Sequence, residues 1–220
     1  MGRNQSEQAH VSSLEKPPRT ALGWFRILGR AHPAYYHRSD RAEAHPLPWP
    51  PGFDPATNPV FARNTLDIAA SPAAVFAALV DARRWPVFYP NSADVVIEDG
   101  RETVLRAGSS FVWRTFATPQ KSKVLLYEPN TYLGWLARSL GTSAFHRWVL
   151  EPIVGGTRVI TEECQVGIIA HLDRYWMNRC LSVTHQIWLE RLRDHLGDAR
   201  RTHGDDQEAG AGDRRSLIDG

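Results

Sequence analysis

Two cysteines in 220 residues, Cys164 and Cys180, are too few for a disulfide framework, and their spacing fits no zinc pattern. Both fall in segments that read as partly buried, so they are expected to act as small apolar fillers. Long apolar runs are missing too. No stretch approaches the ~18 apolar residues of a membrane-spanning helix, and the opening MGRNQSEQAHVSSLEKPPRT has no apolar run of secretory-signal length. A soluble cytoplasmic protein is the expectation. Dense Lys/Arg runs are absent and the formal net charge is only +2, which leaves no electrostatic footprint for nucleic acid. There is no G-x-S-x-G elbow, no G-x-G-x-x-G after a strand, no P-loop and no H-E-x-x-H. The nine histidines are scattered, with no pair spaced to set two ligands on one helix face. No metal and no cofactor is therefore expected, and any catalysis should be cofactor-free.

What is present is an ordinary globular composition, 42% hydrophobic and 23% charged. The length admits one sizeable domain with tails or two small domains, and three zones of composition favour one domain. Residues 1–59 read as an extended arm, because six prolines between Pro46 and Pro59 forbid regular helix or a central strand. Trp49 and Phe53 suggest that this arm docks, since aromatic side chains gain much by burial. The apolar patch ALGWFRILG (21–29) reads as a short helix packing on its own domain. Residues 197–220, rich in Gly, Asp and Arg, read as a disordered tail.

The domain between them, residues 60–196, opens with the alternating strand RNTLDIAA and then SPAAVFAALVD, where Ser71 is the N-cap and Pro72 the first helical residue. A second short helix or turn runs through ARRWPVFYP, whose aromatics read as core. Six strands follow: ADVVIED, SSFVWRTF, KSKVLLYEP, TYLGWLARS, SAFHRWVLEP and TRVITEECQVG. Gly155 and Gly156 predict a tight hairpin turn with positive φ between the last two. The domain closes on about 27 residues without proline or glycine, in which Leu172, Trp176, Cys180, Ile187, Trp188, Leu192 and Leu196 recur at helical spacing. One long amphipathic helix ending at Gly197 is predicted, and the only partner large enough to bury its stripe is a sheet curved around it.

These elements and the stretches SPAAVFAALVDARRWPVFYPN, FVWRTF, SKVLLYEP, HRWVLEP, GGTRVITEE with Gly167, and HQIWLERL resemble the START-like (SRPBCC, Bet v 1-like) superfamily of polyketide cyclases, dehydratases and lipid carriers. The resemblance covers about residues 60–196. Its motifs are mostly structural and identify no reaction. It implies an α+β helix-grip fold: a seven-stranded antiparallel sheet gripping the long C-terminal helix, two short helices after the first strand, and a largely apolar cavity. Such cavities suit lipids, sterols and polyketides.

Alternation then selects candidate residues. If Leu150 faces inward, so do Trp148 and His146. A neutral imidazole donates at one nitrogen and accepts at the other, so His146 is a candidate general acid or base; its structural alternative is a wall residue bonded to a neighbouring strand. Glu162 and Glu163 point to opposite faces, and either can be the inward carboxylate, with Glu163 and Thr161 favoured if Val159 is core. The other role for such a glutamate is an ion pair with Arg114 or Arg147. Phe111, Trp113 and Thr115 are taken as inward. With Trp113, Trp135, Trp148, Trp176 and Trp188 they make an aromatic lining for a planar ligand or a tryptophan-rich core. His185 either faces the sheet or caps the solvent edge of the helix, and Tyr132 is placed at the pocket mouth.

Three functions follow. The first is a polyketide-cyclase-like or dehydratase-like enzyme in which His146 and an inward glutamate move protons. The second is a carrier or sensor of a lipid-like ligand, with His146 or Arg114 anchoring a head group. The third is an interaction module whose arm and tail recruit a partner. A hydrophobic small molecule is the expected partner in the first two; the oligomeric state is left open.

Overall fold

Val60–Ile68 forms β1, and the chain then turns at Ser71, whose hydroxyl oxygen accepts from the Ala74 amide at 3.2 Å and starts α1 (Pro72–Val80) as the Ser-Pro pair predicts. In the computed structural model of the protein, residues 39–98 and 100–213 are described, together with Thr20 and Gly23, and for 200–213 the backbone alone. The patch at 21–29 lies outside the described residues apart from Gly23. A 3-10 turn (Ala82–Arg84) leads into the short α2 (Trp85–Phe88). The remaining strands are β2 (Ala93–Ile97), β3 (Ser110–Thr115), β4 (Thr118–Glu128), β5 (Tyr132–Ser139), β6 (Thr142–Ile153) and β7 (Gly156–Val166). All seven form one antiparallel sheet in the order β1-β7-β6-β5-β4-β3-β2. This is the α+β helix-grip architecture.

The closing helix departs from its predicted form at both ends. A five-residue α3 (Ile168–Leu172) is capped at Asp173, and the long α4 runs Arg174–Asp213. Leu172 therefore leaves the buried stripe and is 83% exposed. At the other end α4 continues through Gly197 into the segment predicted to be disordered. A helical glycine costs only ~1 kcal/mol, and the residues after it include Asp198, Ala199 and Arg200, which do not break a helix. The buried stripe does end near the predicted place, with Leu192 fully buried and Leu196 partly so.

The inner face of the sheet and the helices enclose the core. At its centre Trp85 donates its indole N–H to the Leu79 carbonyl at 3.1 Å, and its ring lies 5.3–5.9 Å from those of Phe111, Trp113, Trp135 and Trp188. Part of the outer face, around β1, β7 and β6, is covered as well, by the proline-rich arm. Phe53 and the half-buried Trp49 pack on Phe61, Phe145 and Cys164, so the arm docks as its aromatics predict. Beneath it Arg147 and Glu162, both wholly buried, pair at 2.7 and 2.9 Å. The arm closes over this pair: Arg147 donates to the carbonyls of His45 (2.8 Å) and Leu47 (2.6 Å), the His45 amide donates to Glu162 (2.8 Å), and the guanidinium carbon sits 3.8 Å from the Trp49 ring centre.

The β6–β7 hairpin occurs where the two glycines predict it, but they serve different purposes. Gly155 has φ +79°, whereas Gly156 is required by close approach: a Cβ there would stand 2.2 Å from the Ile68 carbonyl oxygen. Gly156→Ala is expected to cost about 3 kcal/mol, the upper end of overpacking penalties. Gly155→Ala meets nothing within 4 Å and carries only the left-handed backbone cost of about 1–2 kcal/mol. Urea denaturation of both variants checks the order. The reverse order would mean that the hairpin does not seat against the end of β1.

Candidate functional site

β6 and β7 pair in a register that sets Ala144 opposite Gln165, His146 opposite Glu163, Trp148 opposite Thr161 and Leu150 opposite Val159. Every one of these residues is buried, and alternation aims all eight at the inner face. Glu163 is thus the inward carboxylate. Glu162 belongs to the outer face with Arg147 and also lies 3.4 Å from Arg63. Opposite the strands, α4 contributes Cys180, Leu181, Thr184, His185 and Trp188 on successive turns. His185 faces the sheet and is 2% exposed.

Between these elements lies a cavity of about 330 Å³. Its walls are the rings of Tyr89, Trp113, Trp135 and Trp188 with small residues such as Ala137 and Ala144; Leu140 and Ile169, both exposed, mark its open side. Tyr89 stacks on Trp188 with ring centres 4.1 Å apart and planes 7° from parallel. Hydroxyl and amide side chains such as Thr115, Gln120 and Thr184 also reach the lining, and at one place ionisable groups converge. Glu163 Oε2 lies 3.3 Å from His146 Nδ1 and 3.4 Å from His185 Nε2, and the two imidazole centres are 4.7 Å apart. Neighbours orient the group: Gln165 donates to the other Glu163 oxygen at 2.6 Å, and Thr161 Oγ1 is 2.7 Å from His146 Nε2.

Burial, helped by the neighbouring His185, pushes His146 down to about 3, so its ring is neutral across the physiological range. Burial alone would raise Glu163, but the hydrogen bond from His185, the electrostatic attraction of the two neighbouring imidazoles and the Gln165 donor outweigh it and hold the carboxyl below its ordinary range. Burial raises the Tyr89 phenol, which stays protonated and accepts from Asn91 at 3.1 Å. The result is a neutral imidazole, a carboxylate and a second imidazole at the edge of an apolar space.

Of the residues predicted from sequence, Trp113, Thr115, Trp135, His146, Glu163, His185 and Trp188 line the cavity. Trp148 is aligned with them but packs behind, 5.0 Å from Trp188. Thr161 is also behind the wall and acts by holding His146. Three placements differ from expectation. Tyr132 has the parity of Gly134 and Leu136, so it lies on the outer face rather than at the mouth. Trp176, half-buried at the start of α4, does not line the cavity. Arg114 points away from the cavity and pairs with Asp94 at 3.7 Å. Tyr89 and Gln165 were not singled out. Gln165 continues the parity of Glu163 and was legible; Tyr89 sat among core aromatics with nothing in the sequence to separate it.

This fold and cavity define a class, and the sequence confirms it: residues 62–196 match the family described as polyketide cyclase / dehydrase and lipid transport, and the chain belongs to that family. Solved structures share the fold. A hypothetical protein of Helicobacter pylori is 22% identical, with 69% of this chain and 96% of that one covered and a TM-score of 0.64. A protein of Thermus thermophilus is 15% identical over 63% and 98% of the two chains, TM-score 0.54. The di-domain ARO/CYC protein StfQ from the steffimycin biosynthetic pathway is 17% identical over 64% of this chain and 52% of its own, TM-score 0.54. No curated protein matches the chain in sequence. Among the described residues no helix is long and apolar enough to cross a membrane.

Proposed function

We propose that this chain binds a small, flat, largely apolar molecule bearing a carbonyl or hydroxyl, and catalyses its cyclisation or dehydration. The observation that carries this reading is the polar group of His146, Glu163 and His185 set into an otherwise aromatic-walled cavity. About 330 Å³ is near the lower end of ligand pockets, ~300–1000 Å³, and it favours a compact ring system over a long acyl chain. The indole walls stack on such a molecule and exclude water. Its polar group then meets a cluster of donors and acceptors able to exchange a proton. In the step envisaged, the Glu163 carboxylate, held by His146, His185 and Gln165, takes the proton from carbon next to a carbonyl while that carbon bonds to a second carbonyl carbon; the proton then goes to the alkoxide formed. Loss of water removes a further proton from carbon to the carboxylate and releases the hydroxyl with that proton. Positioning supplies a large share of the rate. Membership of the family, and the shared fold with StfQ, a di-domain ARO/CYC protein of a biosynthetic pathway, support this reading.

The test is native mass spectrometry of protein from its own host, identification of the released molecule, and turnover of that molecule or its precursor. His146→Ala and Glu163→Gln are expected to lower turnover about 10²–10⁴-fold, the usual share of a positioned acid or base, while ligand binding changes less than about tenfold. A lipid at equal stoichiometry that is never converted, or turnover untouched in both variants with the cavity intact, would sink the enzymatic reading; the former would make the protein a carrier.

A further inference from the structure

Among the described residues, His146, Glu163 and His185 also form the one group of three metal-ligating side chains whose donor atoms lie within 4.8 Å of one another. We propose that they bind one divalent transition-metal cation of the zinc class, with an open coordination position facing the cavity. This goes beyond the ligand-binding reading and does not depend on it.

Four features carry the inference. The first is the separation of the donors. Two ligand atoms about 2.0–2.1 Å from a tetrahedral zinc stand about 3.3–3.4 Å apart, and the two imidazole-to-carboxylate distances are 3.3 and 3.4 Å. The second is the donor set. Two imidazole nitrogens and one carboxylate oxygen favour zinc and its neighbours over magnesium or calcium, which take mainly oxygen. The third is the surrounding support. Metal-bound histidines are held through their second nitrogen and metal-bound carboxylates through their second oxygen; here Thr161 sits 2.7 Å from His146 Nε2 and Gln165 donates to Glu163 Oε1 at 2.6 Å. Both contacts leave His146 Nδ1 and Glu163 Oε2 turned toward the centre. The fourth is access, because all three ligands line the cavity and the fourth position opens onto it, as a reactive site requires.

The ligands come from β6, β7 and α4, and the two histidines lie 39 positions apart in the chain. That is why sequence spacing predicts no metal here. Since the donors converge only when α4 is seated on the sheet, the cation binds the folded chain and stabilises it. In the loaded protein the ligand's oxygen would meet the cation's open position, and the cation would polarise a carbonyl placed there.

The experiment is titration of the chelator-stripped, full-length protein with Co²⁺, followed by visible ligand-field absorption, with Zn²⁺ as competitor and Mg²⁺ as control. One equivalent of Co²⁺ with the intense bands of a four-coordinate site, displaced by Zn²⁺ and unaffected by Mg²⁺, is expected. Glu163→Gln and His185→Gln should each weaken binding at least about 100-fold. Thr161→Val, which keeps the buried volume, should weaken it about 10-fold while preserving the fold. Absence of ligand-field bands at millimolar Co²⁺ overturns the proposal, and so does one-to-one binding that persists unchanged in all three variants. Neither result would touch ligand binding, which is read on the same stripped protein.

Discussion

Glu162→Leu is expected to destabilise the protein by about 3–5 kcal/mol, the range for removing one partner of a buried ion pair. Glu162 is wholly buried and holds Arg147 through two contacts and Arg63 through a third. Without the carboxylate, the wholly buried Arg147 keeps only backbone carbonyls of the arm as acceptors, while Arg63 retains Glu43 at 4.0 Å. The arm is loosened too, because the His45 amide loses its acceptor. Arg147→Met should cost less, since Glu162 then keeps Arg63 and the His45 amide. The double variant Glu162→Leu/Arg147→Met should be more stable than Glu162→Leu alone, because it leaves no buried unpaired Arg147 charge. Urea denaturation of the four proteins gives the cycle. A loss below about 1 kcal/mol for Glu162→Leu is what an exposed pair would give, and it would mean that the arm does not cover the outer face in solution.

The same strands carry two consecutive cross-strand pairs with opposite tasks. His146 and Glu163 face inward and make the polar end of the cavity; Arg147 and Glu162 face outward and anchor the arm. Neighbouring residues in a strand must point to opposite faces, so one short stretch on each strand builds both the site and its cover. The two charged groups outside are satisfied by each other and by backbone of the arm, and this explains how an ion pair on the outer face of β6 and β7 can be wholly buried.

Alternation made much of this readable. Once Leu150 and Val159 are core, the period of two places His146, Thr161 and Glu163 inside without further information. The Ser71-Pro72 cap and the Gly155-Gly156 turn were legible because each rests on local backbone chemistry. Tyr132 was misplaced for want of the same parity count against Trp135. What the sequence withheld is long-range. No pattern tells that His185 approaches Glu163, which depends on how α4 rotates over the sheet, or that Gly156 touches Ile68. The break at Asp173 was hidden as well, since residues 168–196 contain neither proline nor glycine and a helical period runs through the break.

Acid is expected to destabilise the chelator-treated protein well before ordinary carboxylate titration begins. An unfolded His146 titrates near ~6.5, whereas burial holds the folded ring down to about 3. Between those values the unfolded chain binds one proton that the folded chain refuses, so stability is full above about pH 6.5 and falls by about 1.4 kcal/mol for each pH unit below it. At pH 4.5 the loss relative to the plateau at higher pH is about 2.7 kcal/mol. Glu163 acts in the same direction at lower pH: its folded carboxyl is held below the ordinary range, so its stabilisation is present above about pH 4.3 and lost as pH falls further. The ionisable groups facing His146 are Glu163 from β7 and His185 from α4, with the Tyr89 phenol protonated throughout. His146→Gln should remove one proton's worth of slope between pH 6.5 and 4.5, whatever its effect on stability at neutral pH. Urea midpoints for the two proteins across this range measure the difference. Equal slopes would show that His146 takes up its proton inside the folded protein, which requires water or a compensating anion at the polar end of the cavity and would place the imidazole in the charged form at mildly acid pH.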